Sequence, residues 1–218
     1  MKKVEEEPIR IFEADVHRLK INDLIKKTSL DKKVEEYIEQ EAYQKVLAWF
    51  FSYPAKEMSL NDLSEVLKIS KTTANKVVNR LVKEGFLFKQ VLGRIWRISC
   101  NISHPYNFSR KIAYNLIMIY ESGIIGEMYK ILENPKAIIL FGSYRKGDDN
   151  EKSDIDIAIE VLDDSEVRIV ELGVIQKFGY RNDVAVNLYI FSRNKIDLNL
   201  FANISNGIVL EGFLEVRP

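Results

Sequence analysis

Two carboxylates set two residues apart, Asp154 and Asp156, interrupt an apolar run that continues through Ile155, Ile157, Ala158 and Ile159. In an extended strand alternate side chains share a face, so both acids point one way while the isoleucines point into a core. Acids about 7 Å apart along such a strand can jointly hold hard divalent cations. A pair of these ions roughly 4 Å apart activates an attacking oxygen and stabilises a leaving one, as phosphoryl-type transfer requires. Before Asp154, with ten residues in between, the chain carries Gly142-Ser143. Gly142 lets the backbone approach a ligand without a side chain in the way, and Ser143 and the turn amides after it suit phosphate oxygens. Arg145, Lys146 and Lys152 bring positive charge to a polyphosphate.

These groups need two strands to hold them. The apolar run Ala137-Ile138-Ile139-Leu140-Phe141 reads as a buried strand leading into Gly142, and the acids lie in a second strand ending near Glu160. Phe108–Tyr120 and Ile124–Leu132 read as helices, the second stopped by Asn134-Pro135. After Glu160, Asp163-Asp164-Ser165 reads as a loop and N-cap. Val167, Val170, Glu171, Val174 and Ile175 then fall at helical spacing. Val184–Phe191 reads as a third strand, Asn199–Ile204 as a closing helix, and Ile208-Val209-Leu210 as a last apolar segment.

The order Leu140-Phe141-Gly142-Ser143-Tyr144, then Ser153-Asp154-Ile155-Asp156, resembles the signature of the nucleotidyltransferase superfamily that includes DNA polymerase β. It is most like the superfamily's minimal archaeal and bacterial members. The resemblance implies a mixed sheet with helices, Mg²⁺ (or Mn²⁺), and ATP as substrate. An acceptor would attack the α-phosphate and pyrophosphate would leave. Asp154 and Asp156 would be the catalytic metal ligands, and Gly142, Ser143, Lys146 and Lys152 would hold the nucleotide. Relatives in toxin–antitoxin pairs modify a partner protein, so a protein hydroxyl is one acceptor and a nucleic-acid end another.

The family places a third carboxylate on the strand after the intervening helix. Here that strand carries Asn187 at the expected position, and an amide is uncharged and a poor proton acceptor. Asp183 is the one carboxylate on the same face, so Asp183 and Asn187 both stand as third-ligand candidates. Two further functions follow from this departure. One is a transcriptional regulator whose nucleotidyltransferase domain is inert or only senses nucleotide; the other is a purely structural adaptor.

The region before this domain has its own pattern. Tyr43, Val46, Leu47, Phe50 and Phe51 mark a helix face closed by Pro54, and Ser59 and Ser70 are N-cap candidates for two more helices. The third helix, Lys71–Glu84, turns Ala74, Val77, Val78 and Leu81 inward and stops at Gly85. Phe86–Val91 and Arg94–Ile98 read as a hairpin around Leu92-Gly93. Three helices and a hairpin resemble a winged helix-turn-helix, which implies double-stranded DNA as partner, with the third helix in the major groove. Lys71, Thr72, Thr73, Asn75, Lys76, Asn79, Arg80 and the wing residue Arg94 would make the contacts. From Lys68 to Arg97 eight basic residues face a single acid, Glu84, whereas an ordinary solvated face mixes signs.

The fold class expected is therefore α+β, with an N-terminal winged helix-turn-helix and a C-terminal nucleotidyltransferase-like domain. Residues 1–40 read as a helical extension, 41–104 as the winged helix and 105–218 as the nucleotidyltransferase-like domain. Val16, Leu19 and Leu24, then Val34, Tyr37 and Ile38, suggest two short helices in the extension. These would pack on the next domain, or serve as a homodimer arm. The 32 basic and 32 acidic residues balance, but 41–104 holds 10 against 5, so any anionic partner is local to the middle. A lone cysteine, Cys100, fits a reducing cytoplasm. No stretch resembles a secretory signal or a membrane span. His17 and His104 stand far apart without partners at zinc-ligand spacing.

Overall fold

A computed structural model describes residues 29–93, 95–132, 134–162 and 165–216. The expected helix at Val16, Leu19 and Leu24, the wing residue Arg94, and Asp163-Asp164 of the expected loop lie outside the described residues.

Helix α1 (Ser29–Ser52) is continuous, so the helix expected at Val34, Tyr37 and Ile38 and the one expected from Glu41 are one element. From Ala42 onward it buries Tyr43, Val46, Leu47, Phe50 and Phe51. Helix α2 (Leu60–Val66) is capped by Ser59, whose Oγ accepts from the Asp62 amide at 3.1 Å. Helix α3 (Lys71–Lys83) is capped by Ser70 in the same way, from the Thr73 amide at 3.0 Å. Each cap satisfies one of the orphan amides that a helix start leaves, and fixes the turn between the two helices. Gly85, at φ +85°, takes the left-handed conformation that ends α3. Strands β1 (Leu87–Leu92) and β2 (Ile95–Cys100) then pair antiparallel as the wing.

A 3₁₀ turn at Pro105–Phe108 leads into α4 (Arg110–Glu121) and α5 (Ile124–Ile131). The second sheet follows, with strand order β5-β6-β4-β3-β7. Its members are β3 (Ala137–Phe141), β4 (Ile155–Val161), β5 (Arg168–Phe178), β6 (Arg181–Ser192) and β7 (Ile208–Gly212), with α6 (Gly142–Lys146) after β3 and α7 (Leu198–Ser205) after β6. β4 and β6 run parallel; the other pairs are antiparallel. One face buries Ile138, Leu140, Ile155, Ile157, Ile159, Val184, Val186 and Leu188 together with Ile119 and Met128 of α4 and α5. The other buries Ala137, Ile139, Ala158 and Phe191 with Ile204 of α7.

The helix expected through Val167, Val170, Glu171, Val174 and Ile175 is instead β5, an edge strand. A β-bulge between Glu171 and Gly173 breaks its alternation, which is why its apolar spacing imitates a helix. It joins β6 through the two-residue turn Gly179-Tyr180, with Gly179 at φ +60° as a tight hairpin requires.

The core of the helices and wing does not stop at the wing. Tyr106, Tyr114 and Tyr180 pack against the cluster holding Phe50, Phe51 and Phe86. Tyr53 donates its hydroxyl to the Tyr180 carbonyl at 2.7 Å, and the Ser52 and Tyr114 hydroxyls lie 3.1 Å apart.

Candidate functional site

The sheet brings the two expected carboxylates to one row of groups. Asp156 lies opposite Phe141 of β3 and opposite Asn187 of β6, and Asn187 lies opposite Glu171 of β5. Residues paired in register share a face, so Phe141, Asp156, Asn187 and Glu171 line up across four strands. Tyr189, one pleat further along β6, meets Phe141 edge-on with ring centroids 4.9 Å apart. Asp154 precedes β4 and is exposed, whereas Asp156 is half-buried.

Gly142 is needed where it stands. Its φ is +71°, and a Cβ there would run into Asp156 Oδ2. Backbone therefore abuts the carboxylate directly, a close approach that only glycine permits. Ser143 is half-buried, and Lys146 and Lys152 are exposed on either side of the loop between the two strands. Arg145 has its Nε buried without a hydrogen-bond partner, a donor left over beside the Gly-Ser turn.

Electrostatics disfavours the ionised form of Asp156. Burial pushes the Asp156 pKa up, the Asn187 hydrogen bond works against this, and the neighbouring Asp154 charge raises it further. A cation on this face would relieve both costs, so two carboxylates and a side-chain-free wall fit one hard divalent ion. Among the described residues no third His, Cys, Asp or Glu joins them at metal-holding distance. Asp183 is exposed and at φ +52° near the start of β6; it does not complete the pair. Asn187 instead donates from Nδ2 to Asp156 Oδ1 at 3.3 Å.

Four buried groups that the sequence reading passed over fix the loop between Gly142 and Asp154. Lys111 of α4 reaches the Asp149 carboxylate at 3.3 Å and also donates to the Asp149 backbone carbonyl, and both residues are almost fully buried. Asn115, one turn along, bonds Asp149 Oδ1 at 2.8 Å and the Tyr144 carbonyl at 3.0 Å. Arg181 donates to the Ser153 carbonyl at 2.9 Å, the Glu151 carbonyl at 3.0 Å and the Tyr144 hydroxyl. The chain entering Asp154 is thus clamped from two sides. A lysine and an asparagine one turn apart on an apolar helix were the only sequence signal of this, and their partners lie about thirty residues away.

The recognition-helix residues split into two groups. Lys71, Thr72 and Lys76 are exposed on α3, and Asn75 and Thr73 are half-exposed. Asn79 is held by the wing: Lys89 Nζ donates to its Oδ1 at 2.6 Å and lies over the Trp96 ring, 4.1 Å from the centroid. Its Nδ2 in turn donates to Asn75 Oδ1. Arg80 is tied to Glu84 at 3.0 Å and stacks over Tyr43 at 4.4 Å. Asn79 and Arg80 are exposed as well, but both carry intramolecular partners: Asn79 on the wing, Arg80 on α1 and at the end of α3.

No helix among the described residues is long and apolar enough to cross a membrane. A search of curated proteins found no significant match. Residues 56–87 match the family model described as winged helix-turn-helix DNA-binding. Residues 125–211, which contain the Gly-Ser turn, both carboxylates and all but the last residue of β7, match the model described as polymerase beta, nucleotidyltransferase. Along this chain a winged helix-turn-helix match is thus followed by a match to the polymerase β type of nucleotidyltransferase domain.

Proposed function

We infer that the protein binds duplex DNA through α3 and the wing and transfers a nucleoside monophosphate from ATP to an acceptor at the Asp154–Asp156 face. The observation that carries this reading is the wall formed by Gly142 against Asp156, since a glycine with left-handed φ pressed on a desolvated carboxylate has no packing purpose. Asp154 and Asp156 would hold Mg²⁺, which when bound supplies charge neutralisation for the triphosphate. Ser143 and Arg145 bind phosphate oxygens from the turn, and Lys146 and Lys152 add charge from its rim.

The acceptor hydroxyl bonds to the α-phosphorus as the bond to pyrophosphate breaks, and its proton needs a base. Asn187 cannot take it. Glu171, on the same face and next in the row, is exposed and is the carboxylate we assign to that task. The acceptor class, protein or nucleic-acid end, follows from what the winged helix brings near this face.

One observation favours a second reading. The Asn187 amide occupies an Asp156 oxygen and adds no charge, as suits a domain that senses nucleotide without reacting. Incubation with α-labelled ATP, Mg²⁺ and a cell extract separates the two. Covalent label that survives Asn187→Asp and falls at least tenfold in Glu171→Gln, with nucleotide affinity unchanged, supports transfer with Glu171 as base. Mg²⁺-dependent ATP binding without label in any variant would leave the sensor.

A further inference from the structure

A cleft of about 630 Å³ opens between the winged helix and the loop running from Gly147 to Lys152. Its lining includes neither Asp154 nor Asp156. Its apolar wall is made by Pro54, Ile102 and Phe108. Its volume is that of a small-molecule site, and such sites pair apolar walls with a few convergent polar groups.

Asn107 supplies the first of those groups. The residue is 3% exposed and lines the cleft. Its Nδ2 donates to the carbonyls of Asn101 at 3.0 Å, Ile102 at 3.3 Å and His104 at 3.4 Å, which fixes which end of the amide is which. The Oδ1 is left buried with no partner. A buried acceptor without a donor costs free energy that a ligand's N–H would recover.

The charges of the lining give the sign of that ligand. Lys111 is already committed to the Asp149 carboxylate and carbonyl. That leaves the carboxylates of Asp148 and Glu151 against the ammonium of Lys152. Acceptors therefore outnumber donors, and an anion would meet two carboxylates. The geometry points to this cleft as a binding site for a small cationic amine or amidine carried on an apolar body. The ligand's N–H groups bond Asn107 Oδ1 and the Asp148 or Glu151 carboxylate while its body covers Phe108 and Ile102. Occupancy would bridge the winged helix to the loop that leads into Asp154.

Benzamidine and benzoate test this, since they share a ring and differ in the sign and donor character of the head group. Titrated into the ¹⁵N-labelled full chain, benzamidine is expected to shift the amides of residues 102–108 and 147–152 and the Asn107 side-chain amide, and benzoate to leave them in place. Asp148→Asn combined with Glu151→Gln removes the charged acceptors and should weaken benzamidine about tenfold. Ser103→Trp, which fills the cleft from an exposed position, should abolish the shifts in a protein that still unfolds cooperatively. Equal shifts with both compounds, shifts confined to other surfaces, or no shifts with either would overturn the proposal, the last leaving the Asn107 oxygen to water.

Discussion

Replacing Lys111 by methionine should be among the most destabilising single changes available in this protein. The methionine keeps the length and apolar stem of the side chain but removes the ammonium that faces Asp149. Both partners are buried, at 1% and 3% exposure. Burial pushes the Lys111 pKa down and the Asp149 pKa up, each opposed by the other's charge, so each group is tolerated only because the other is there. Removing one member of such a pair leaves an uncompensated buried charge and costs about 3–5 kcal/mol. For a chain of this size each kcal/mol moves Tm by about 2–4 °C, so a fall of about 6–20 °C is expected. The double variant Lys111→Met/Asp149→Asn removes the stranded charge but keeps the Asn115 bond to residue 149. It should recover all but the cost of the bare Asp149 carbonyl, about 1–3 kcal/mol. Scanning calorimetry of the two single variants and the double one at pH 7 gives the coupling directly. A double variant as unstable as Lys111→Met, or a Lys111→Met protein within about 1 kcal/mol of the parent, would show that charge pairing does not hold this loop.

Three other expectations follow from the site. Gly142→Ala forces a left-handed residue at about 1–2 kcal/mol and pushes its methyl into Asp156, so calorimetric titration should find Mg²⁺-dependent ATP binding lost with the fold retained. Asp156→Asn should raise Tm in chelator at pH 7, because a carboxyl whose pKa is raised on folding destabilises the native state while it is ionised. The sign follows from linkage: the gain should vanish as pH falls below the ordinary carboxylate range, and a gain that persists there contradicts burial as the cause. On the winged helix, Lys76→Ala should lower the slope of log affinity for duplex DNA against log salt by about 1, while Arg80→Ala, whose guanidinium is spent on Glu84 and Tyr43, should lower thermal stability as well; an unchanged slope for Lys76→Ala would remove that lysine from the phosphate contacts.

What could be read from the sequence was what is local. Ser59 and Ser70 announce their helices because a cap needs only its own next three residues, and Gly142-Ser143 with Asp154 and Asp156 follow from one strand, one turn and one strand. The β5 segment defeated the same logic. An edge strand has one row of backbone groups and much of its surface in water, so burial imposes little alternation, and the bulge after Glu171 shifted the phase of what remained. The better signal was the Phe178-Gly179-Tyr180-Arg181 turn, where a glycine opening a two-residue loop marks a hairpin. That error hid Glu171, which as a helix residue would have had no place beside Asn187. Lys111, Asn115 and Arg181 were illegible for a different reason: nothing in a lysine's neighbours tells it which carboxylate, tens of residues away, the fold will bring to it.

The three tyrosines that cross from the second domain into the first have a mechanical consequence. With Tyr106, Tyr114 and Tyr180 seated in the winged helix's own apolar cluster, and the Tyr53 hydroxyl latched to the Tyr180 carbonyl, there is no hinge at His104-Pro105. Tyr180 also belongs to the turn of the β5–β6 hairpin, so the strand carrying Glu171 is anchored by the winged helix. A protein docked on a duplex would carry its nucleotide face at a fixed reach and heading, like a tool on a rigid arm rather than on a tether. Its range of acceptors would then be limited by geometry to whatever stands at that one distance from the bound site. Transplanting either module onto another protein would lose that aim along with the buried seam.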